Sequence, residues 1–209
     1  MHAEEMTLKR VAAADQKSPI KSMSADQPLI ARAKAGEIEA FEALLFRYQR
    51  QVLGTALRFL ANRDDARDAA QEVFLKLYRH LRDLDPERPV APWLYRVTIN
   101  VCHDIVRRRR GAFSGADFTW AESMPQTGGP DADPGRRLIL EEEWRTLQQA
   151  LATLPEKERA AIILRDVEEL ETREVAQILG TSEVTVRSHI SRARMKIKRH
   201  LERMLGRRL

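Results

Sequence analysis

Hydrophobic positions recur at three- and four-residue steps along most of the chain, the spacing that lines up one face of an α-helix. Phe41, Leu44, Leu45, Tyr48, Val52, Ala56, Phe59 and Leu60 form the first stripe, and Asn62-Arg63-Asp64 breaks it. Ala66, Ala69, Ala70, Val73, Leu77 and Leu81 form a second. Asp85-Pro86-Glu87-Arg88-Pro89 reads as a loop. Pro92 can then open a third helix, because a first-turn position has no intrahelical partner for an N–H anyway. That helix places Trp93, Leu94, Val97, Val101 and Ile105 toward a core, with a base-stacking platform as the alternative for Trp93, and ends in Arg107, Arg108, Arg109 and Arg110. No strand-like alternation of useful length and no internal repeat interrupts the pattern, so the fold class is all-α.

The periodicity stops at Gly111. Residues 111–137 hold Pro125, Gly128, Gly129, Pro130 and Pro134 and little apolar pattern, which reads as a flexible linker. Helical spacing resumes with Leu140, Trp144, Leu147 and Leu151, and Pro155 starts a further helix with Ala160, Ile163, Leu164 and Val167 inward. Residues 1–25 are small, polar and aperiodic, a disordered tail in which Met23 is an alternative start. The expected architecture is two small helical domains, residues 26–110 and 138–209, joined by the linker.

The second domain contains a sharp inter-helix turn. Ala176 is small enough for two helices to approach, Gly180 can adopt the left-handed conformation, and Val186 packs the second helix back on the first. Ser182 is a good N-cap, with Glu183 in the favourable first turn. This reads as a helix-turn-helix whose exposed face carries Arg187, Ser188, Ser191, Arg192 and Arg194, donors suited to phosphates and base edges. The plainer alternative is a helical hairpin with a solvated basic face. Charge placement favours DNA: from Arg187 onward nine Arg and Lys residues face one acid, Glu202, whereas residues 156–174 carry seven acids and four bases.

Composition changes this picture little. The 209 residues carry a net charge of +5 and a pI near 9.6, as a nucleic-acid partner requires. No apolar run approaches the roughly 20 residues of a membrane span, and Met1-His2-Ala3-Glu4-Glu5 is not a signal-peptide start. The reading is cytoplasmic, without membrane insertion. A single Cys102 excludes an internal disulfide framework and a cysteine zinc site. Cys102 reads as a small buried hydrophobe; the rival, a redox-sensing thiol, would need exposure near the arginine run. Cys102 and His103 point about 100° apart on a helix and form no nucleophile–base pair. Asp64, Asp65 and Asp68 lack the Gly and terminal Glu of a calcium loop. No catalytic residue, metal or cofactor is expected.

Taken together, a helical domain, a polar linker and a basic helix-turn-helix domain resemble the extracytoplasmic-function (ECF) group of sigma-70 factors of bacterial RNA polymerase. Three stretches carry the resemblance. Residues 65–75 are similar to the part of sigma region two that docks on the β′ clamp helices, which implies core-polymerase contacts by Asp65, Asp68, Gln71, Glu72 and Leu75. Residues 92–110 resemble the segment that opens the −10 element, implying DNA contacts by Arg96, Asn100, His103, Arg107 and Arg108, with Asn100 pairing a base edge. Thr98 stands where the family usually has a small apolar residue. Residues 154–194 resemble sigma region four, which implies −35 contacts by Thr185, Arg187, Ser188, Ser191, Arg192 and Lys196 and docking on the β flap. Glu171 replaces the Ser common before the motif's first helix, so Thr172 is expected to cap it. The implied partners are core RNA polymerase, promoter DNA and an anti-sigma factor. The alternative is a helix-turn-helix repressor or activator outside the polymerase, which would leave the acidic segment at 65–75 unexplained.

Overall fold

The computed structural model describes residues 23–112 and 134–206, which fall in two separate units, with side chains described over 26–110 and 142–204. Most of the expected tail (1–25) and linker (111–137) lies outside the described residues, and their described ends, 23–25, 111–112 and 134–137, are helical.

In the first unit α1 spans Met23–Lys34, α2 Ile38–Leu60, α3 Arg63–His80 and α4 Ala91–Ala112. The last three pack on one another around Leu44, Tyr48, Phe59, Val73, Leu77, Leu94 and Ile99. The breaker between the first two stripes acts through its backbone. Ala61 turns left-handed at φ 52° and ends α2, and the Asp65 N–H donates to Asn62 Oδ1 at 3.0 Å to cap α3.

Helix α1 has no stripe of its own in the sequence, and Pro28 lies inside it. Its stability is tertiary. Ile30 and Ala33 are buried, and the buried Asp26 carboxylate accepts from Arg47 at 2.5 Å and from the Tyr48 hydroxyl. Burial, then the Asp26 carboxylate, pushes the Tyr48 phenol well above its usual range, so it stays a donor.

Helix α4 departs from the sequence reading at Trp93. Leu94, about 100° further round the helix, takes the inward direction, and Trp93 is left half-buried at the edge, its ring 6.3 Å from that of His80. Thr98 is fully buried, and its hydroxyl donates to the Leu94 carbonyl at 2.8 Å, so the polar residue is satisfied within the helix.

Cys102 is also fully buried, and desolvation, then the Asp65 charge, pushes its thiol well above the ordinary range. A neutral, enclosed thiol is a packing group, which removes the redox alternative. Native protein should therefore react with a thiol reagent at least about a hundredfold more slowly than protein in guanidinium, because attack requires opening of the core. Equal rates in the two states would show that Cys102 is accessible.

In the second unit α5 spans Pro134–Ala152, α6 Glu156–Ile162, α7 Thr172–Leu179 and α8 Glu183–Gly206. Beyond α6 the chain widens into a π-type turn over Ile163–Val167, in which the Glu168 N–H reaches back to the Ile163 carbonyl at 3.0 Å. Buried Arg159 donates to the carbonyls of Ala152 and Leu154, both at 3.0 Å, and so satisfies acceptors at the end of α5. Trp144, Leu147, Leu151, Ala160, Ile163 and Leu164 form the core expected from their spacing.

Candidate nucleic-acid interface

Helices α7 and α8 form the helix-turn-helix. Ala176 and Val186 are buried between them, and Gly180 closes α7 at φ +61°, with the Gly180 and Thr181 N–H groups donating to the Ala176 carbonyl. A Cβ at Gly180 would meet nothing within 4 Å, so the demand for glycine comes from the backbone angle and not from crowding. Ser182 caps α8, its hydroxyl accepting from the Thr185 N–H at 3.1 Å. The other cap differs from expectation. Glu171 precedes α7, and its N–H donates to the Glu174 carboxylate at 2.8 Å; Thr172 is the first helical residue and not the cap. The Glu174 carboxylate satisfies the N–H of the residue before the helix, the reciprocal half of a capping box.

Along α8 the basic residues divide into two groups. Arg187, Ser188, Ser191 and Arg192 are exposed on the first half of the helix. Arg187 pairs with Glu183 at 2.7 Å, and Arg192 donates to the Ser188 hydroxyl at 3.0 Å, so both guanidinium groups are steered by one-turn neighbours. Thr185 is half-buried, and its hydroxyl bonds Ser182 at 2.9 Å within the cap.

Of the basic residues further along α8, Arg194 and Lys196 serve the fold. Arg194 grips Asp166 with two bonds, 2.9 and 2.8 Å, and the Lys196 ammonium meets Glu158 at 2.8 Å. Both carboxylates are almost completely buried, at 6% and 7% side-chain exposure, so each needs its cation. Arg194 and Lys196 lie next to the buried Ala193 and Ile197 but stay partly exposed, and their partners lie 28 and 38 residues earlier. Arg194 and Lys196, expected at the DNA from the sequence, thus fasten α8 to α6 and the turn that follows it.

In the first unit Arg96, Asn100, His103 and Arg107 recur at three- and four-residue steps along one face of α4. Arg96 and Asn100 are exposed, while His103 is half-buried with its ring edge-on to Phe59 at 5.0 Å. The arginine run is already engaged. Arg107 pairs with Asp104 at 2.7 Å, Arg108 reaches Glu72 of α3 at 3.6 Å, and Arg109 meets Asp65 of α3 at 2.6 Å.

These pairs redistribute the acidic face of α3. Asp65 retains only 17% side-chain exposure, and burial raises its carboxyl above the usual range against the pull of Arg109. It is an anchor for the end of α4 more than an outward contact. Asp68, Gln71 and Leu75 stay exposed, and Glu72 also holds Lys76 at 3.1 Å. Tyr78, one turn beyond Leu75, is exposed and stacks edge-on with Phe41 of α2 at 5.3 Å, adding an apolar margin that the sequence reading passed over. Its three-residue step from Leu75 was the available signal. For Arg109 there was none beyond membership of the run.

Geometry thus gives a compact helix-turn-helix with an outward basic face, and a separate helical unit carrying a polar–basic face and an acidic one. Such a pairing is that of a two-module helical protein with a DNA-binding motif in one module. The sequence profile of Sigma-70 region 2 matches residues 44–112, and that of Sigma-70 region 4 matches residues 144–197. The RNA polymerase sigma-H factor of Pseudomonas aeruginosa is 36% identical over 187 residues, covering 86% of this chain and 95% of that protein. The ECF RNA polymerase sigma-E factor of Escherichia coli K12 is 33% identical over 186 residues, covering 87% of this chain and 97% of that protein. Among solved structures, CnrH in complex with the cytosolic domain of CnrY superposes with a TM-score of 0.63 at 29% identity, over 85% of this chain and 97% of that one.

The chain belongs to the ECF group of the sigma-70 family of RNA polymerase sigma factors. It is a polymerase-associated factor and not a standalone helix-turn-helix regulator, which sets aside the rival reading. Sigma factors initiate transcription and are not enzymes. No described helix is long and apolar enough to cross a membrane.

Proposed function

We propose that three helix faces divide the work of promoter initiation in the cytoplasm. The exposed part of α3, with Asp68, Gln71, Glu72 and Leu75, docks on the β′ clamp helices of core polymerase. The face of α4 with Arg96, Asn100, His103 and Arg107 engages the −10 element and holds its melted strand. The first half of α8, with Arg187, Ser188, Ser191 and Arg192, reads the −35 element in the major groove, while its unit docks on the β flap. The observation that carries this reading is on α8: the four donors at the front are exposed, while Arg194 and Lys196 behind them, though partly exposed, are engaged by the buried acids Asp166 and Glu158. The front of a recognition helix is the part that meets base edges.

A partner of opposite effect is also proposed. The neighbouring structures of CnrH with CnrY, and of the Bartonella quintana sigma factor RpoE with the anti-sigma factor NepR, support an anti-sigma factor for this chain as well.

The −10 assignment makes a specific demand of Asn100. Its amide is exposed on α4 between Arg96 and His103 and contributes little packing. Asn100→Ala should lower open-complex formation by about 5- to 150-fold, the worth of one base-edge contact, with core binding unchanged. Permanganate reactivity of −10 thymines measures the first and assembly with core polymerase the second. Undiminished thymine reactivity in the variant would remove Asn100 from the site.

A further inference from the structure

Resting on the assignment of α8 to the −35 element, we infer that Val184 is a specificity residue of that site, reading the C5-methyl group of a thymine in the major groove. Val184 is the second residue of α8 and is 71% exposed. Arg187 and Ser188 follow it by three and four residues and Ser191 by seven, so all four share one face of the helix. Residues at the start of a recognition helix are those that meet base edges.

The neighbours in that first turn are committed elsewhere. Glu183 is drawn toward Arg187 at 2.7 Å, the Thr185 hydroxyl and N–H both bond Ser182, and Val186 is in the core. Val184 therefore presents a bare, apolar side chain beside two donor-bearing residues. It is β-branched and stiff, so contact would freeze little rotamer freedom. In the major groove the apolar feature available to such a side chain is the thymine methyl, which distinguishes T·A from every other pair together with its acceptor pattern. A single exposed valine is ordinary on a protein surface; its position in the reading turn is what gives this one a ligand. The division of labour follows: Arg187 and Ser188 supply hydrogen bonds, and Val184 supplies the discrimination that hydrogen bonds to a purine alone cannot.

The test uses the full chain assembled with core RNA polymerase. The preferred −35 element is first selected from a randomised duplex library. Each thymine on either strand is then replaced in turn by deoxyuridine, which lacks the C5-methyl and keeps every hydrogen-bonding group. At one or two positions this replacement should weaken native binding about fourfold, the worth of one buried methyl group. Val184→Ala should lose that sensitivity while preferences at the remaining positions persist, and Val184→Ile should keep it. Because the side chain is exposed, neither variant should alter helicity by circular dichroism. If no thymine responds to loss of its methyl, or if Val184→Ala responds as the native chain does, the inference is overturned and the −35 assignment stands. A library that returns no preferred sequence would defeat the −35 assignment itself, and this inference with it.

Discussion

Replacing Asp68 and Glu72 together with lysine should reduce affinity for core RNA polymerase by about two orders of magnitude while leaving the helix content unchanged. The estimate follows from placing like charges against a basic partner surface, which costs several kcal/mol at a close interface, when about 2.7 kcal/mol already gives a hundredfold. Asp68 is exposed on α3, so its replacement disturbs no packing. Glu72 is the more informative of the two, because it holds Lys76 at 3.1 Å and faces Arg108 at 3.6 Å. Both pairs are partly exposed and contribute little to stability by themselves. Loss of assembly without loss of Tm therefore assigns the acids to the interface. Titration of labelled core polymerase reads the affinity, and circular dichroism reads the fold. Native affinity in the double variant would take the polymerase contact away from this face.

Arg194→Ala should be the most destabilising surface substitution in the second unit, by about 2–3 kcal/mol. The guanidinium is half-exposed, but the Asp166 carboxylate it grips is 6% exposed, and its removal strands that charge in a nearly dry site. The asymmetry is itself a prediction. Asp166→Ala should cost less, because Arg194, once released, can hydrate, whereas Asp166 cannot. For a unit of this size the Arg194→Ala loss corresponds to a fall of roughly 10–20 °C in the midpoint of its thermal transition. A fall under about 3 °C would mean that the bidentate pair contributes almost nothing. DNA affinity measured well below the transition should change far less than it does in Arg187→Ala, because Arg194 is assigned to the fold.

Local features were legible in the sequence because their causes are local. The stripes that became α2, α3 and α4 depend on spacing along one helix, and the buried residues at 44, 48, 52, 56, 59 and 60 follow from that spacing alone. The helix-turn-helix was legible for the same reason: Gly180 needs only its own φ, and Ser182 caps the helix that starts at the next residue through an N–H three residues on. Tertiary packing decided what depends on partners distant in the chain. Helix α1 forms despite Pro28 because Asp26 finds Arg47 and Tyr48 in α2. Trp93 lies at the edge because Leu94 won the inward direction, a matter of a rotation that apolar spacing leaves open. The division of the basic residues was the least legible. Arg187 and Arg194 are alike in sequence, yet one is paired with an exposed acid in its own helix and the other with a buried acid 28 residues away. Composition counts both as positive charge on a recognition helix. Which of them meets a buried acid is set by how α8 packs against α6 and the turn that follows it, and only the folded unit determines that.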